Sequence, residues 1–133
     1  MIHNRLHKWS EDSNILPEIQ AGFRKIRSCH KNIFTLNAAV DVRLKKKNTK
    51  LFEFFTDFSR AFPSIPHDKL WNKHFEIGVS AKNIRWLDTL YESSTMQIRL
   101  NNDYLSSPID ITESVLQGEI LSPVLFNLYI SKS

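Results

Sequence analysis

Asp57 is the residue whose type and position most call for chemistry. It ends the run Leu51-Phe52-Glu53-Phe54-Phe55-Thr56-Asp57-Phe58, whose apolar and aromatic residues predict a buried strand. A carboxylate at the C-terminal end of such a strand must be paired, hydrogen-bonded or metal-bound, because a lone desolvated charge costs on the order of several kcal/mol. The position suits a metal-ligating acid. Arg24 and Arg27 form a second candidate set, since planar guanidinium groups grip phosphate oxygens bidentately; composition alone favours plain surface charges. Gln117-Gly118, ahead of Ser122-Pro123, form a third. Gly118 permits a backbone geometry or a close approach that a side chain would block, and Gln117 by itself reads as a loop amide. His67 and His74 can share a helix face, but no further zinc ligands accompany them, so they read as surface or helix-packing residues. The single Cys29 excludes an internal disulfide and a cysteine-based zinc site.

The elements that must position these residues follow from periodicity. Ile2, Leu6 and Trp9 predict a short helix over residues 1–13. Residues 14–28 hold Pro17 and Gly22 without a sustained period and read as a loop, with Phe23 anchoring it to the core. Ile33, Leu36, Val40 and Leu44 predict a core-packing amphipathic helix over 30–47. Lys45, Lys46 and Lys47 at its end suit the helix dipole. Residues 51–58 are the expected central strand. Pro66 opens a helix over 67–77, with Leu70, Trp71 and Phe75 inward and Gly78 as its stop. Ser80 caps the next helix, 81–92, with Ile84, Leu87 and Tyr91 inward. Residues 96–101 alternate as a half-buried strand, turn at Asn101-Asn102-Asp103 and return over 104–111. Ser122-Pro123 caps and opens a last helix through Val124, Leu125, Leu128 and Tyr129. The expected class is α+β, a small antiparallel sheet backed by helices.

With 133 residues, 41% of them hydrophobic, the chain has the material for one core. No apolar run approaches the ~18 residues of a membrane span and no signal-peptide core is visible. The expectation is an intracellular protein, of cytoplasm or nucleus, with no membrane partner. The net charge of +4 is uneven: residues 1–50 carry 11 Lys and Arg against 4 Asp and Glu, and residues 51–133 carry 7 against 10. A basic half beside an acidic half suits a protein that holds a polyanion on one surface and metal ions on another.

Asp57-Phe58-Ser59-Arg60-Ala61-Phe62, followed about sixty residues on by Gln117-Gly118 and Leu121-Ser122-Pro123, resembles motifs A and B of the reverse transcriptases of non-LTR (LINE-type) retrotransposons. Gln20-Ala21-Gly22-Phe23-Arg24-Lys25-x-Arg27-Ser28 is similar to the fingers motif that precedes motif A there. The order and spacing of all three agree. The resemblance implies a right-hand polymerase fold, with residues 1–50 as a fingers portion and 51–133 as a partial palm. It implies an RNA template, a DNA primer and deoxynucleoside triphosphates as partners, and two Mg²⁺ ions roughly 4 Å apart. Asp57 would be catalytic and a metal ligand, with the Phe58 carbonyl as a further oxygen. Arg24 would contact the triphosphate, Phe62 would act as the steric gate against a ribose 2′-hydroxyl, and Gln117 with Gly118 would lie near the nascent base pair. Arg27 and Lys45 to Lys47 would contact nucleic acid. The four residues Arg24, Asp57, Phe62 and Gln117 are expected to converge on one cleft. The family's Tyr-x-Asp-Asp turn and thumb do not occur within the 133 residues, so the expectation is a fragment inactive alone. Two alternatives accompany that reading: a non-catalytic nucleic-acid-binding remnant, and a retrotransposon relic that does not fold stably.

Overall fold

The computed structural model describes residues 2–25, 27–101 and 104–131. Helix α1, Ile2–Asp12, buries Leu6 and lays Ile2 and Trp9 against the core, the face its spacing predicts. Helix α3, His67–Glu76, begins behind Pro66, whose φ of −66° suits a helix entry, and ends at Ile77. Gly78 follows at φ +96° and makes the left-handed turn that ends the helix; a Cβ there would stand 3.9 Å from the Trp9 ring, an ordinary contact, so the backbone conformation and not space calls for glycine. Helix α4, Ala81–Glu92, starts where expected: the Ser80 Oγ accepts the Asn83 N–H at 3.4 Å. Helix α5 is Ser122–Tyr129. Helix α3 packs on α4 and α5, and α1 on α5.

The core lies among these four helices. Leu70, Leu87, Val115, Leu125 and Leu128 are wholly closed off from solvent, and truncating such a Leu to Ala costs about 2–5 kcal/mol. Trp71 meets Tyr91 edge-on at 5.2 Å, and His67 meets the same Tyr91 at 5.1 Å. Burial pushes the Tyr91 hydroxyl up to about 12. Both histidines thus pack against helices, as read from the sequence. His74 is completely buried and takes the inward place expected of Phe75, which is exposed.

The strands form one interrupted hairpin. Strand β1, Thr95–Met96, pairs antiparallel with β4, Ile109–Asp110, and β2, Arg99–Asn101, with β3, Tyr104–Leu105. The Ser106 Oγ accepts the Ile98 N–H at 2.9 Å and spans the gap between the two pairs. Ile98 and Leu100 are exposed, so the half-buried face expected for 96–101 is not present. The expected turn falls largely on Asn102 and Asp103, outside the described residues.

Two further elements differ from expectation. Residues 51–58 form no strand and lie at the surface, with Phe52 at 87% and Phe54 at 92% exposure. A strand requires a ladder partner for its N–H and C=O groups, and the described strands pair with each other instead. Helix α2, Cys29–Leu44, forms where the period places it, N-capped by Ser28, but it buries none of its residues. Phe34, Ala38, Ala39 and Val42 spread apolar character around the helix beyond the Ile33-Leu36-Val40-Leu44 stripe, and none of the described helices or strands packs closely on it. Lys45, Lys46 and Lys47 follow in a turn closed by Thr49, whose hydroxyl lies 2.8 Å from the Arg43 carbonyl and 2.7 Å from that of Lys46. The class is nonetheless the one expected, α+β, with five helices and two small antiparallel sheets among the described residues.

Candidate nucleotide and nucleic-acid site

Residues 60–66 turn sharply after Asp57. Arg60 adopts φ +55°, and the Ser64 N–H donates to the Arg60 carbonyl at 3.1 Å. The segment then runs beside 113–115: the Val115 N–H donates to the Phe62 carbonyl at 3.0 Å and the Ser114 N–H to the Ile65 carbonyl at 2.9 Å. Pro66 and Glu113 complete an antiparallel bridge. These bonds tie the Asp57–Phe62 motif to the approach to Gln117-Gly118. Gly118 has φ +88° with open space where a Cβ would be, so glycine serves the turn rather than a close approach. Ser122 does not cap α5 as expected. Leu121 holds the N-cap position, and the Ser122 hydroxyl donates instead to the Leu116 carbonyl, fastening the turn to the helix.

The Arg24 loop joins the same layer. The Phe62 ring lies 6.2 Å from Phe23 and 4.7 Å from Phe126 of α5, tilted to both, so the Arg24 motif, the Asp57–Phe62 motif and the helix that Ser122-Pro123 opens each contribute one ring to a single cluster. Such pairs each contribute about 0.5–1.5 kcal/mol beyond area burial. The Asn127 amide donates to the Gly22 carbonyl at 2.8 Å. Phe23 stands between these anchors at φ +57°, a left-handed conformation that costs a bulky L-residue on the order of 1–2 kcal/mol and persists only where its surroundings enforce it.

Arg24 supplies the other anchor. Its Nε donates to Glu11 Oε1 at 2.9 Å and its Nη2 to Glu11 Oε2 at 2.6 Å, while Nη1 donates to the carbonyls of Pro17 and Gln20 at 2.8 and 3.1 Å. The side chain is only 6% exposed. The hydrogen bonds from Arg24 hold the Glu11 carboxyl below its ordinary range, and Glu11 in turn raises the guanidinium. Arg27 is placed differently: it pairs at 2.6 Å with Glu18, whose side chain is 80% exposed and whose carboxyl is lowered by that hydrogen bond.

Gln117 is exposed on an open cleft of about 500 Å³ that it shares with Arg60, Pro63 and Thr112. Phe58 lines a smaller groove of about 210 Å³ with Ala61, Ile65, Phe126 and Tyr129. Both hollows flank the segment that carries Phe62. Asp57 is exposed, and no hydrogen bond or ion pair engages its carboxylate among the described residues. Ring and backbone contacts thus link the Arg24 loop and the approach to Gln117 through Phe62, but the cleft at Gln117 is lined by none of Arg24, Asp57 and Phe62, so the expected convergence of the four side chains on one cleft is not seen there. No group of three or more His, Cys, Asp or Glu side chains suited to a metal ion occurs among the described residues. Nor is any described helix long and apolar enough to cross a membrane.

Glu11, Asn127 and Phe126 are the contributors that sequence reasoning missed. Glu11 and Arg24 are thirteen residues apart, a separation with no periodic signal. Asn127 sits on an otherwise apolar helix, and a polar residue among Val124, Leu125 and Leu128 was the one available hint of a specific bond.

The family model described as "Reverse transcriptase (RNA-dependent DNA polymerase)" matches residues 1–133. The chain is 28% identical over 131 residues to the "Probable RNA-directed DNA polymerase from transposon BS" of Drosophila melanogaster, covering 97% of this chain and 14% of that one. It is 24% identical over 132 residues to the "Retrovirus-related Pol polyprotein from type-1 retrotransposable element R2" of Popillia japonica, covering 99% of this chain and 18% of the polyprotein. With the motifs in order and the match running end to end, this chain belongs to the reverse transcriptase family, and the relatives it matches come from non-LTR retrotransposons.

Proposed function

We propose that the chain is part of an RNA-directed DNA polymerase of a non-LTR retrotransposon, and that it helps to hold the incoming deoxynucleoside triphosphate and the RNA template with its DNA primer. The observation that carries this reading is the ring cluster, in which Phe23, Phe62 and Phe126 join two motifs and the helix that follows the third. On this reading residues 1–50 belong to the fingers and 51–133 to part of the palm. Phe62, half-buried between two rings, presents its remaining edge to the nucleotide sugar, with Gln117 and Gly118 beside the base pair. Arg27, whose partner is solvated, is open to exchange Glu18 for a phosphate; Arg24 reaches a triphosphate only by leaving Glu11. Lys45, Lys46 and Lys47 offer charge to the nucleic-acid backbone.

The family generally uses divalent metal ions, and the reading assigns Asp57 and the Phe58 carbonyl to Mg²⁺. One exposed carboxylate that belongs to no group of three or more His, Cys, Asp or Glu among the described residues does not fit a two-metal site. The remaining ligands would have to come from the part of such a polymerase that matches the other four-fifths or more of its relatives' length. Template-dependent incorporation of deoxynucleotides, with Asp57→Ala as the control, tests the reading.

A further inference from the structure

We infer that Phe23 is a positioning residue for Phe62, and that the Glu11–Arg24 pair is the brace that keeps it there. The inference rests on the reading of Phe62 as the residue facing the nucleotide sugar, and adds to it a specificity element outside motif A. Phe23 is 62% exposed, so its ring is not buried for core stability. Its backbone is nevertheless held in the left-handed region, which aromatic residues rarely adopt. The loop is pinned on both sides of it: Asn127 holds the Gly22 carbonyl, and Arg24, fixed by four hydrogen bonds, follows directly. The result of this arrangement is a ring 6.2 Å from Phe62, on a partner other than Phe126, which lies at 4.7 Å. Phe62 thereby has a ring neighbour on the loop as well as one on α5. With Phe126 alone, its ring keeps a contact but loses the wall that limits rotation toward the loop. A residue that excludes a hydroxyl must not swing aside, because the penalty for a wrong sugar is only as large as the resistance of the group it strikes.

The test is the ratio of kcat/KM for a deoxynucleotide to that for the matching ribonucleotide, measured on the polypeptide encoded by the complete reading frame that contains this chain. Phe62→Val reports on the underlying reading, and Phe23→Ala on the inference. Phe23→Tyr is the conservative rescue. The expected result is that Phe62→Val lowers the ratio at least tenfold, and that Phe23→Ala lowers it severalfold, through easier ribonucleotide entry, with kcat for the deoxynucleotide changed less than threefold. Phe23→Tyr should restore the ratio, and Glu11→Gln should resemble Phe23→Ala. No incorporation by the unaltered polypeptide, or a ratio untouched by Phe62→Val, overturns the reading of Phe62. A ratio lowered by Phe62→Val but unchanged in Phe23→Ala overturns the role given to Phe23, as does a Phe23→Ala effect confined to kcat for both sugars.

Discussion

His74 gives the fold a specific sensitivity to acid. Its Nδ1 lies 2.6 Å from the Leu70 carbonyl. A carbonyl only accepts, so Nδ1 carries the proton and Nε2 is the bare nitrogen. Nε2 is buried without a hydrogen-bond partner, and protonating it would place a cation in the core. Burial accordingly lowers the imidazole to about 4 from its ordinary 6.5. The unfolded chain therefore binds a proton that the folded chain refuses as pH falls below about 6.5, and stability drops until pH reaches about 4, where both states are protonated. Between pH 7 and pH 5 this one group removes about 2 kcal/mol, at 1.36 kcal/mol per unit of difference. With a urea m-value of about 2 kcal/mol/M for a chain of this size, the midpoint falls by about 1 M. Urea titrations followed by tryptophan fluorescence measure it directly, since Trp71 lies 6.1 Å from the His74 ring. His74→Leu should flatten most of that pH dependence. A midpoint equal at the two pH values in the unaltered chain, or an undiminished shift in His74→Leu, would refute the reasoning.

Two further outcomes are expected. Glu11→Gln leaves the nearly enclosed Arg24 guanidinium without its counter-charge and should cost about 2–3 kcal/mol in urea unfolding, whereas Glu18→Gln at the solvated Arg27 pair should leave the midpoint unchanged; equal effects would contradict the different placement of the two arginines. Replacing Lys45, Lys46 and Lys47 by Gln should weaken binding to single-stranded RNA and reduce the slope of log K against log salt by about 2, and an unchanged slope would remove that turn from the nucleic-acid surface.

The helices that form the core were legible because their signals are local. Ser80 and Gly78 bound α4 and α3 through capping and left-handed turning, and the inward spacing of Leu87 and Tyr91 matches their burial. The Phe-rich run at 51–58 and the stripe on α2 expressed a demand for burial, but a sequence pattern does not show what satisfies the demand. In this chain no described strand pairs with the run, and no described helix packs closely on α2. His74 was displaced from expectation for a related reason. Hydropathy favours Phe75 inward, whereas an imidazole can donate to the carbonyl four residues back and still fill the space beside Trp71. At the site, the motif order led to the expectation that Arg24, Asp57, Phe62 and Gln117 share a cleft, and what the structure shows is a ring contact between Phe23 and Phe62 and a backbone bond from Val115 to Phe62. The Glu11 brace, the Asn127 bond and the left-handed Phe23 depend on tertiary contacts that no spacing encodes.

If these motifs serve an RNA-directed DNA polymerase, as proposed, Asp57 is indispensable to it and does not suffice alone. Template-dependent incorporation of deoxynucleotides on an RNA template, compared between the isolated chain, the product of its complete reading frame and the latter's Asp57→Ala variant, measures that claim. Losing even one transition-state stabiliser commonly costs roughly 3–4 kcal/mol, about a hundredfold or more in rate. The expected result is no incorporation by the isolated chain, incorporation by the complete product, and its loss in Asp57→Ala. Incorporation by the 133-residue chain alone, or a complete product indifferent to Asp57→Ala, would contradict it.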